Sequence, residues 1–522
     1  MTDFSIALSA IVSVTVVILL ARRSAQKSAN LSGLPLPPGP PRLPLLGNLF
    51  DINPSKPWST YSDWGVKYGD IVYSSLLGQE YIIINSAKVA KALLERRSSI
   101  YSDRMSSTLY DLFGVGFSTP VLGYTDKFKL HRKLFHLTLR AEATTTYRDL
   151  YVRKARELVL DMLDDSKGSP VPMNTHFMHF SAAVIMAVAY GYEVTSRDDP
   201  LVTRVRQLMG ILEKELPTER AILLTAFPLL RHLPAWFPGF AFKKQTSYCQ
   251  KLADDVREIP FNYVKTQMAA GTAARSMVFD FLQSHQEDDT DDNLEQAMKD
   301  TAATVFLGGA DTTSSALFTF VLAMVLYPEV QERAQAEIDA LVGSDRLPDF
   351  EHRAFLPYVE AILRETLRWH PVLPLGVPHV TSSSDTYNGY YIPKGAIMVY
   401  NVWEMSHSSS DPEDTACFNP DRHLLPNGQL APNDPISASP SFGFGRRICP
   451  GRFFAEGSMW AAVVTMLATL RFTKALDKNG KEIEVKPEFT TGLIIHPIPF
   501  QSHIRSRSAE REKEIRMYME ST

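Results

Sequence analysis

Between Leu294 and Tyr327 the chain runs 34 residues without a proline, apolar through its middle, until Pro328 stops it. At about 1.5 Å per residue this predicts one helix of roughly 51 Å, and an apolar middle predicts burial. Trp58 to Tyr68 reads as a shorter helix before Gly69. Ile71 to Leu77 and Tyr81 to Asn85, parted by Gly78-Gln79-Glu80, read as a hairpin. Later strands are expected near Tyr387 to Tyr391 and Ile397 to Tyr400, and a proline-free helix over Arg452 to Leu470. Most of the rest has helical period, so the predicted fold class is mainly α with a minor β-sheet lobe.

The first apolar stretch is of another kind. Phe4 to Ala21 holds 18 residues without a charge and is followed by Arg22, Arg23 and Lys27. Its length just crosses a bilayer core, and positive charge stays on the cytosolic side. Asp3 precedes it without any Lys or Arg, which argues against a cleaved signal peptide. Residues 1–29 are therefore expected to be a signal anchor in contact with membrane lipid, with the sequon Asn30-Leu31-Ser32 left unmodified. Residues 30–55, with Leu34-Pro-Leu-Pro-Pro-Gly-Pro-Pro41, are expected to be a stiff extended hinge. The catalytic body is assigned to 56–504 and a solvated, charged tail to 505–522. Leu216 to Phe242 is apolar and proline-punctuated, so it reads either as a second membrane contact or as core. Glu287 to Asp292 reads as an acidic surface loop, and a serine run at 408–410 as part of a peripheral loop.

Composition narrows the class. The chain has 522 residues, 45% of them hydrophobic, with net charge −4 and pI about 6.4. That suits a large core and gives no basic face for nucleic acid. Three cysteines make no disulfide framework and suit a reducing compartment.

One of those cysteines has a special setting. Phe442-Gly-Phe-Gly-Arg-Arg-Ile-Cys-Pro-Gly451 puts Cys449 between glycines at 443 and 445, which permit a tight turn, and the start of an apolar helix. A helix N-terminus favours a thiolate. Zinc is excluded because Cys249 and Cys417 form no C-x-x-C pair, a c-type haem because C-x-x-C-H is absent, and no partner base for a nucleophile stands nearby. Phe442 can cover a sulfur and Arg447 can meet an anionic cofactor edge. The pattern Phe442-x-x-Gly445-x-Arg447-x-Cys449-x-Gly451 resembles the haem-ligand signature of the cytochrome P450 family. The resemblance implies haem b (heme b) with Cys449 as the axial iron ligand, the thiolate favouring O–O cleavage.

The long helix carries a second signal. Gly308-Gly-Ala-Asp-Thr-Thr313 sits in its buried middle, where each glycine costs about 1 kcal/mol against alanine and a buried acid needs a partner. Paired glycines allow a flat ligand to approach or the helix to kink, and a bare helix crossing is the alternative. The Thr312 hydroxyl can leave the Gly308 carbonyl and donate outward, while Asp311 can relay protons from water. This resembles the family's oxygen-activation motif. Glu365-Thr-Leu-Arg368 places acid and base on one helix face, and Arg422 in Phe418-Asn-Pro-Asp-Arg422 could complete a buried network. In the family that triad locks the loop leading to the cysteine.

The resemblance covers Leu34 to Ile504 and carries over further residues. Arg132 matches a propionate-binding arginine, although Phe128 stands where the family usually has Trp; Tyr124 is a second donor. A solvated basic face with Lys127, Lys129 and Lys133 is the alternative for Arg132. His379 takes the place of another propionate ligand. Thr304, Val305, Leu307, Gly308, Leu375, Thr491 and Leu493 are the expected pocket walls. The implied activity is insertion of one oxygen atom from dioxygen into a hydrophobic small molecule, in the style of fungal secondary metabolism: a terpenoid, polyketide or aromatic amine. Electrons would come from a separate NADPH-dependent diflavin reductase, at the endoplasmic reticulum membrane with the catalytic body facing the cytosol. A haem-thiolate isomerase or dehydratase, and a non-enzymatic haem sensor or carrier, are the rival readings.

Overall fold

Proline sets where several helices begin, because its missing N–H is not needed in the first turn. Pro57, Pro328 and Pro357 each open one. The computed structural model describes residues 33–521 apart from 106–107, 167–171, 216–219, 221–222, 225–226, 286–291, 344–345, 409–411 and 433–434. The anchor, its basic flank and the sequon lie outside the described residues, as do most of the acidic loop and of the serine run. The longer helices are α1 (Pro57–Tyr68), α2 (Asp126–Leu139), α3 (Arg148–Ser166), α4 (Met173–Tyr190), α5 (Pro200–Glu215), α6 (Thr246–Ala269), α7 (Asp292–Leu326), α8 (Pro328–Val342), α9 (Pro357–Trp369), α10 (Arg452–Thr469) and α11 (Ala509–Ser521).

The 35-residue α7 is the axis of the molecule and lies chiefly against α4. Its most apolar window could cross a membrane by length and composition, yet 78% of that window is buried inside the protein. Burial in the core accounts for its all-round hydrophobicity.

The β lobe is smaller. Strands β1 (Ile71–Leu76), β2 (Gln79–Ile84), β3 (His379–Val380) and β6 (Ile397–Tyr400) form one sheet in the order β1-β2-β6-β3. The β1–β2 pair is the expected hairpin, and β6 joins β2 in parallel with Tyr81 opposite Ile397. The stretch around Tyr387 to Tyr391 is two strands, β4 (Asp385–Tyr387) and β5 (Tyr390–Ile392), turned by Asn388 and Gly389 at positive φ. An Asn-Gly pair is suited to such a turn.

The proline-rich stretch lies against the β strands: the Tyr73 amide donates to Pro38 O at 2.9 Å, and Tyr391 donates to Pro35 O at 2.8 Å. One expectation needs correction. The tail is not solvated. Strand β8 (Ser502–Ser506) pairs with β7 (Leu470–Lys474), and α11 follows with Ile515 fully buried. Arg511, 1% exposed, donates to Ala468 O at 2.6 Å and pairs with Asp339 at 2.8 Å. Its charge reads as surface in sequence but here satisfies carbonyls at the end of α10. Within 216–242 Phe240 and Phe242 are buried, as the core reading expects, whereas Leu229 and Trp236 are exposed.

Candidate functional site

The cysteine turn is built by backbone. Gly443 and Gly445 have φ of +77° and +57°, and a Cβ on Gly445 would lie 2.1 Å from the Leu94 carbonyl oxygen. Only glycine permits both the left-handed conformation and that approach. The loop then closes on itself, the Cys449 amide donating to Phe442 O at 2.8 Å, and α10 begins three residues later with Gly451 as its cap. Cys449 is deeply enclosed yet keeps accessible surface, as a residue bordering an internal void does. Burial pushes its thiol up, against the Gly451 amide and the charges of Arg132 and Arg452. The helix terminus alone therefore does not make the thiolate expected from sequence. A metal cation in contact would, because a coordinating thiol is deprotonated outright.

Around this turn lie three cations, Arg104 buried and Arg132 and Arg447 half-buried. Arg132 donates to Ile448 O at 2.7 Å. Arg447 donates to Ser102 O at 2.7 Å and to Leu122 O at 2.8 Å. Arg104, which sequence reasoning missed, donates to Pro120 O and Val377 O, each at 2.8 Å. Among the described residues no carboxylate forms an ion pair with any of the three. Burial lowers Arg104 to about 10, and burial together with the charge of Arg104 lowers Arg447 to about 9. Buried, unneutralised cations are costly unless an anion completes them. Nearby, the His379 Nδ1 meets Tyr101 O at 2.7 Å, while its buried Nε2 has no partner. Three guanidinium groups without an ion-pair partner among the described residues, two of them under the through-space influence of Asp103, and an orphan imidazole nitrogen fit the anionic edge of a haem.

Phe128 replaces the family's indole donor with a different service. The Arg447 guanidinium carbon sits 3.6 Å from the centre of its ring, a cation–π contact that holds the arginine without a hydrogen bond. The Tyr124 hydroxyl accepts from the exposed Arg446, which leaves its own proton available to donate.

On α7 the two glycines have different reasons. A Cβ on Gly309 would come 3.1 Å from Ile185 of α4, a helix-crossing contact, whereas a Cβ on Gly308 would meet nothing within 4 Å. Gly308 thus faces open space in an otherwise buried helix, and α-helical structure continues through it without a break. Thr312 lies one turn on and donates to Gly308 O at 2.7 Å. Asp311 faces elsewhere, toward His496, with Oδ1 3.5 Å from Nε2.

The expected pocket walls separate. Val305 and Leu307 are buried in the main core. Thr304 uses its hydroxyl on Asp300 O, at 2.7 Å, and accepts the Thr119 amide. Leu375 is half-buried against the β lobe, and Thr491 and Leu493 form the exposed tip of the last turn. Gly308 and Thr312 are the pair that the structure brings to one open face.

The network behind the cysteine is fuller than the sequence suggested. Glu365, with no exposed surface, receives Arg368 bidentately at 2.7 and 2.8 Å and Arg422 at 3.0 Å. It also takes the Asn419 amide at 2.8 Å and meets His423 Nε2 at 3.0 Å. His423 directly follows Arg422, but adjacency alone did not mark it. The Ser441 hydroxyl donates to Leu367 O at 3.2 Å, tying this helix to the turn that carries Cys449.

The family profile described as Cytochrome P450 matches residues 37–503. A cytochrome P450 monooxygenase of Postia placenta, designated 208, is 40% identical over 483 residues, 92% of this chain and 91% of that protein. The monooxygenase COX1 of Coprinopsis cinerea is 35% identical over 519 residues, 97% and 98% of the two chains. The monooxygenase claR of Ampulloclitocybe clavipes is 36% identical over 488 residues, 92% and 88%. With a glycine-built cysteine turn, a cluster of cations that no carboxylate among the described residues pairs, and matches of that extent, the chain belongs to the cytochrome P450 family: a haem-dependent oxidoreductase that incorporates oxygen, of the kind whose iron is held by a cysteine thiolate.

Proposed function

We propose that the protein is a membrane-anchored monooxygenase that carries haem b on Cys449 and hydroxylates a hydrophobic small molecule, with electrons from NADPH through a separate diflavin reductase. The observation that carries the residue assignment is the cluster of Arg104, Arg132 and Arg447 around Cys449, cations that form no ion pair with a carboxylate among the described residues, Asp103 acting on Arg104 and Arg447 only through space. Arg104, Arg132, Arg447 and His379 would hold the propionates, and the Cys449 sulfur the iron. When bound, the haem supplies activation of dioxygen for insertion of one oxygen atom.

The chain's own residues do the rest. Gly308 keeps the face of α7 flat and open. Thr312 holds its proton on the Gly308 carbonyl and can turn it outward, and Asp311 is the acid that replenishes it. The apolar character around α7 favours an apolar substrate. The relatives are fungal monooxygenases; for this chain the reading is a role in secondary metabolism at the endoplasmic reticulum, on a terpenoid, polyketide or aromatic amine.

Two measurements test this. The reduced, carbon-monoxide-treated protein should give the thiolate-ligated spectrum, and Cys449→Ala should abolish it. A wild-type spectrum typical of histidine ligation would remove Cys449 from its role. Co-expression with a reductase, followed by mass spectrometry of apolar extracts, should show NADPH-dependent gain of one oxygen atom; NADPH-independent rearrangement would favour an isomerase.

A further inference from the structure

Asp311 sits on a different side of α7 from the open face at Gly308. It borders a cavity of about 140 Å³, walled by Thr175, Met178 and His179 of α4, by Arg197 and Arg206, and by His496. That volume admits water, with polar partners on several sides. Arg197 is already paired with Asp165 and Asp161, and Arg206 donates to the Arg197 carbonyl. What remains to exchange protons is the line Glu213, His496, Asp311. Glu213, at the end of α5, and Asp311 both act electrostatically on His496.

The imidazole is not on a loose loop. Its own backbone N–H donates to Thr490 Oγ1 at 3.0 Å, and the Thr490 amide donates to His496 O at 2.8 Å. One residue earlier, Ile495 accepts from Ser315 of α7 at 2.5 Å and donates to Val372 O at 2.9 Å. The turn is therefore bonded to α7 one helical turn beyond Asp311.

We propose that His496 is a positioning residue for proton delivery: it holds the Asp311 carboxylate on the cavity side and recharges it with protons from cavity water. This deepens, and rests on, the monooxygenase reading. In the step, the imidazolium gives its Nε2 proton to the Asp311 carboxylate and becomes neutral; water in the cavity restores the proton to the ring. From Asp311 the proton reaches Thr312 by way of solvent, because consecutive residues on a helix do not face each other. Burial works against charge on His496, but the hydrogen bond and charge of Asp311, with the charge of Glu213, outweigh it and raise its titration above the ordinary value. His179, on the far wall, is shifted down by burial and by the charges of Lys154 and Arg197, so it stays neutral where His496 is charged.

The test uses the full-length holoenzyme with its reductase and no added substrate. Two quantities are followed from pH 6 to 9: the ring titration of His496, by NMR of histidine-labelled, reduced, carbon-monoxide-bound protein, and the share of NADPH electrons recovered as hydrogen peroxide. Reduction of dioxygen to peroxide consumes one NADPH; reduction to water consumes two and needs further protons. The peroxide share should rise as pH passes through the His496 midpoint. In Asp311→Asn that midpoint should fall by about one pH unit, as for loss of a neighbouring opposite charge. In Glu213→Gln the ring midpoint and the peroxide midpoint should fall together. His496→Gln, which keeps a donor but cannot carry the proton, should give a high, pH-independent peroxide share, about tenfold the wild-type value at low pH. An unchanged peroxide share in His496→Gln, or midpoints that move apart, would overturn the proposal. Absence of the thiolate spectrum in wild type would instead sink the monooxygenase reading, with the ring titration still measurable.

Discussion

Two carboxylates, Glu365 and Asp311, are both enclosed and both meet a histidine, yet their surroundings differ in kind. Glu365 is saturated: two arginines, a histidine and a backbone amide occupy its oxygens. Asp311 has one histidine at 3.5 Å and a cavity beside it. A saturated carboxylate cannot change its protonation without leaving buried charges unpaired, so it is a fastening. A carboxylate with one partner and water at hand can take up and release a proton. The comparison separates scaffold from chemistry without reference to any substrate.

The strongest way to break that contrast is to remove the fastening. Glu365→Ala takes the acid from Arg368, while Arg422 keeps Asp414, and should cost about 3–5 kcal/mol, with loss of haem incorporation measured by pyridine haemochrome and of stability measured in urea. The same site gives a pH signature. Burial raises the Glu365 carboxyl, but the hydrogen bonds of His423 and Arg368, the charge of Arg368 and the Asn419 amide outweigh it, so it titrates below the ordinary range. A depressed folded value means stability that is present above the unfolded value of about 4.3 and lost as pH falls through the folded one. Acid unfolding followed by tryptophan fluorescence should lose this component in Glu365→Gln.

Next in size is the turn that the network supports. Gly445→Ala puts a Cβ against Leu94 O in a left-handed backbone and should cost about 1–3 kcal/mol from the conformation alone, read as a lowered Tm of the holoenzyme. His423→Gln removes one of several partners of Glu365 and should cost about 1.5–3 kcal/mol in urea unfolding, less than loss of the acid itself. The smallest stability effect belongs to the other carboxylate. Asp311→Asn should lower urea stability by at most about 1.4 kcal/mol where His496 is charged, the worth of its one-unit midpoint shift, while diverting NADPH electrons to peroxide. A destabilisation as large as that of Glu365→Ala would erase the distinction between the two acids.

Much of the site was legible because its constraints are local. The glycines around Cys449 are needed by the backbone within a few residues, and Gly308 with Thr312 lie one turn apart on one helix. Glu365 and Arg368 share a face by spacing alone. What sequence could not show was assembled from distant segments. Arg104 follows an ordinary Tyr-Ser-Asp run, and only the fold brings it against Val377 and Pro378. His496 is one of 13 histidines and gains meaning from a turn bonded to α7. The tail was misread because a charged composition resembles solvated chain, whereas Arg511 directs its charge inward to carbonyls and Asp339.

The sequence by itself determined the helical body, the long buried helix and the turn that presents a cysteine, since periodicity, proline placement and glycine conformation act over short range. Only the tertiary structure decided which cations lack an acid, which glycine faces open space and which packs on a neighbour, and where Asp311 finds its histidine. Those outcomes depend on burial and charge balance between segments hundreds of residues apart, and neither quantity exists until the chain has folded.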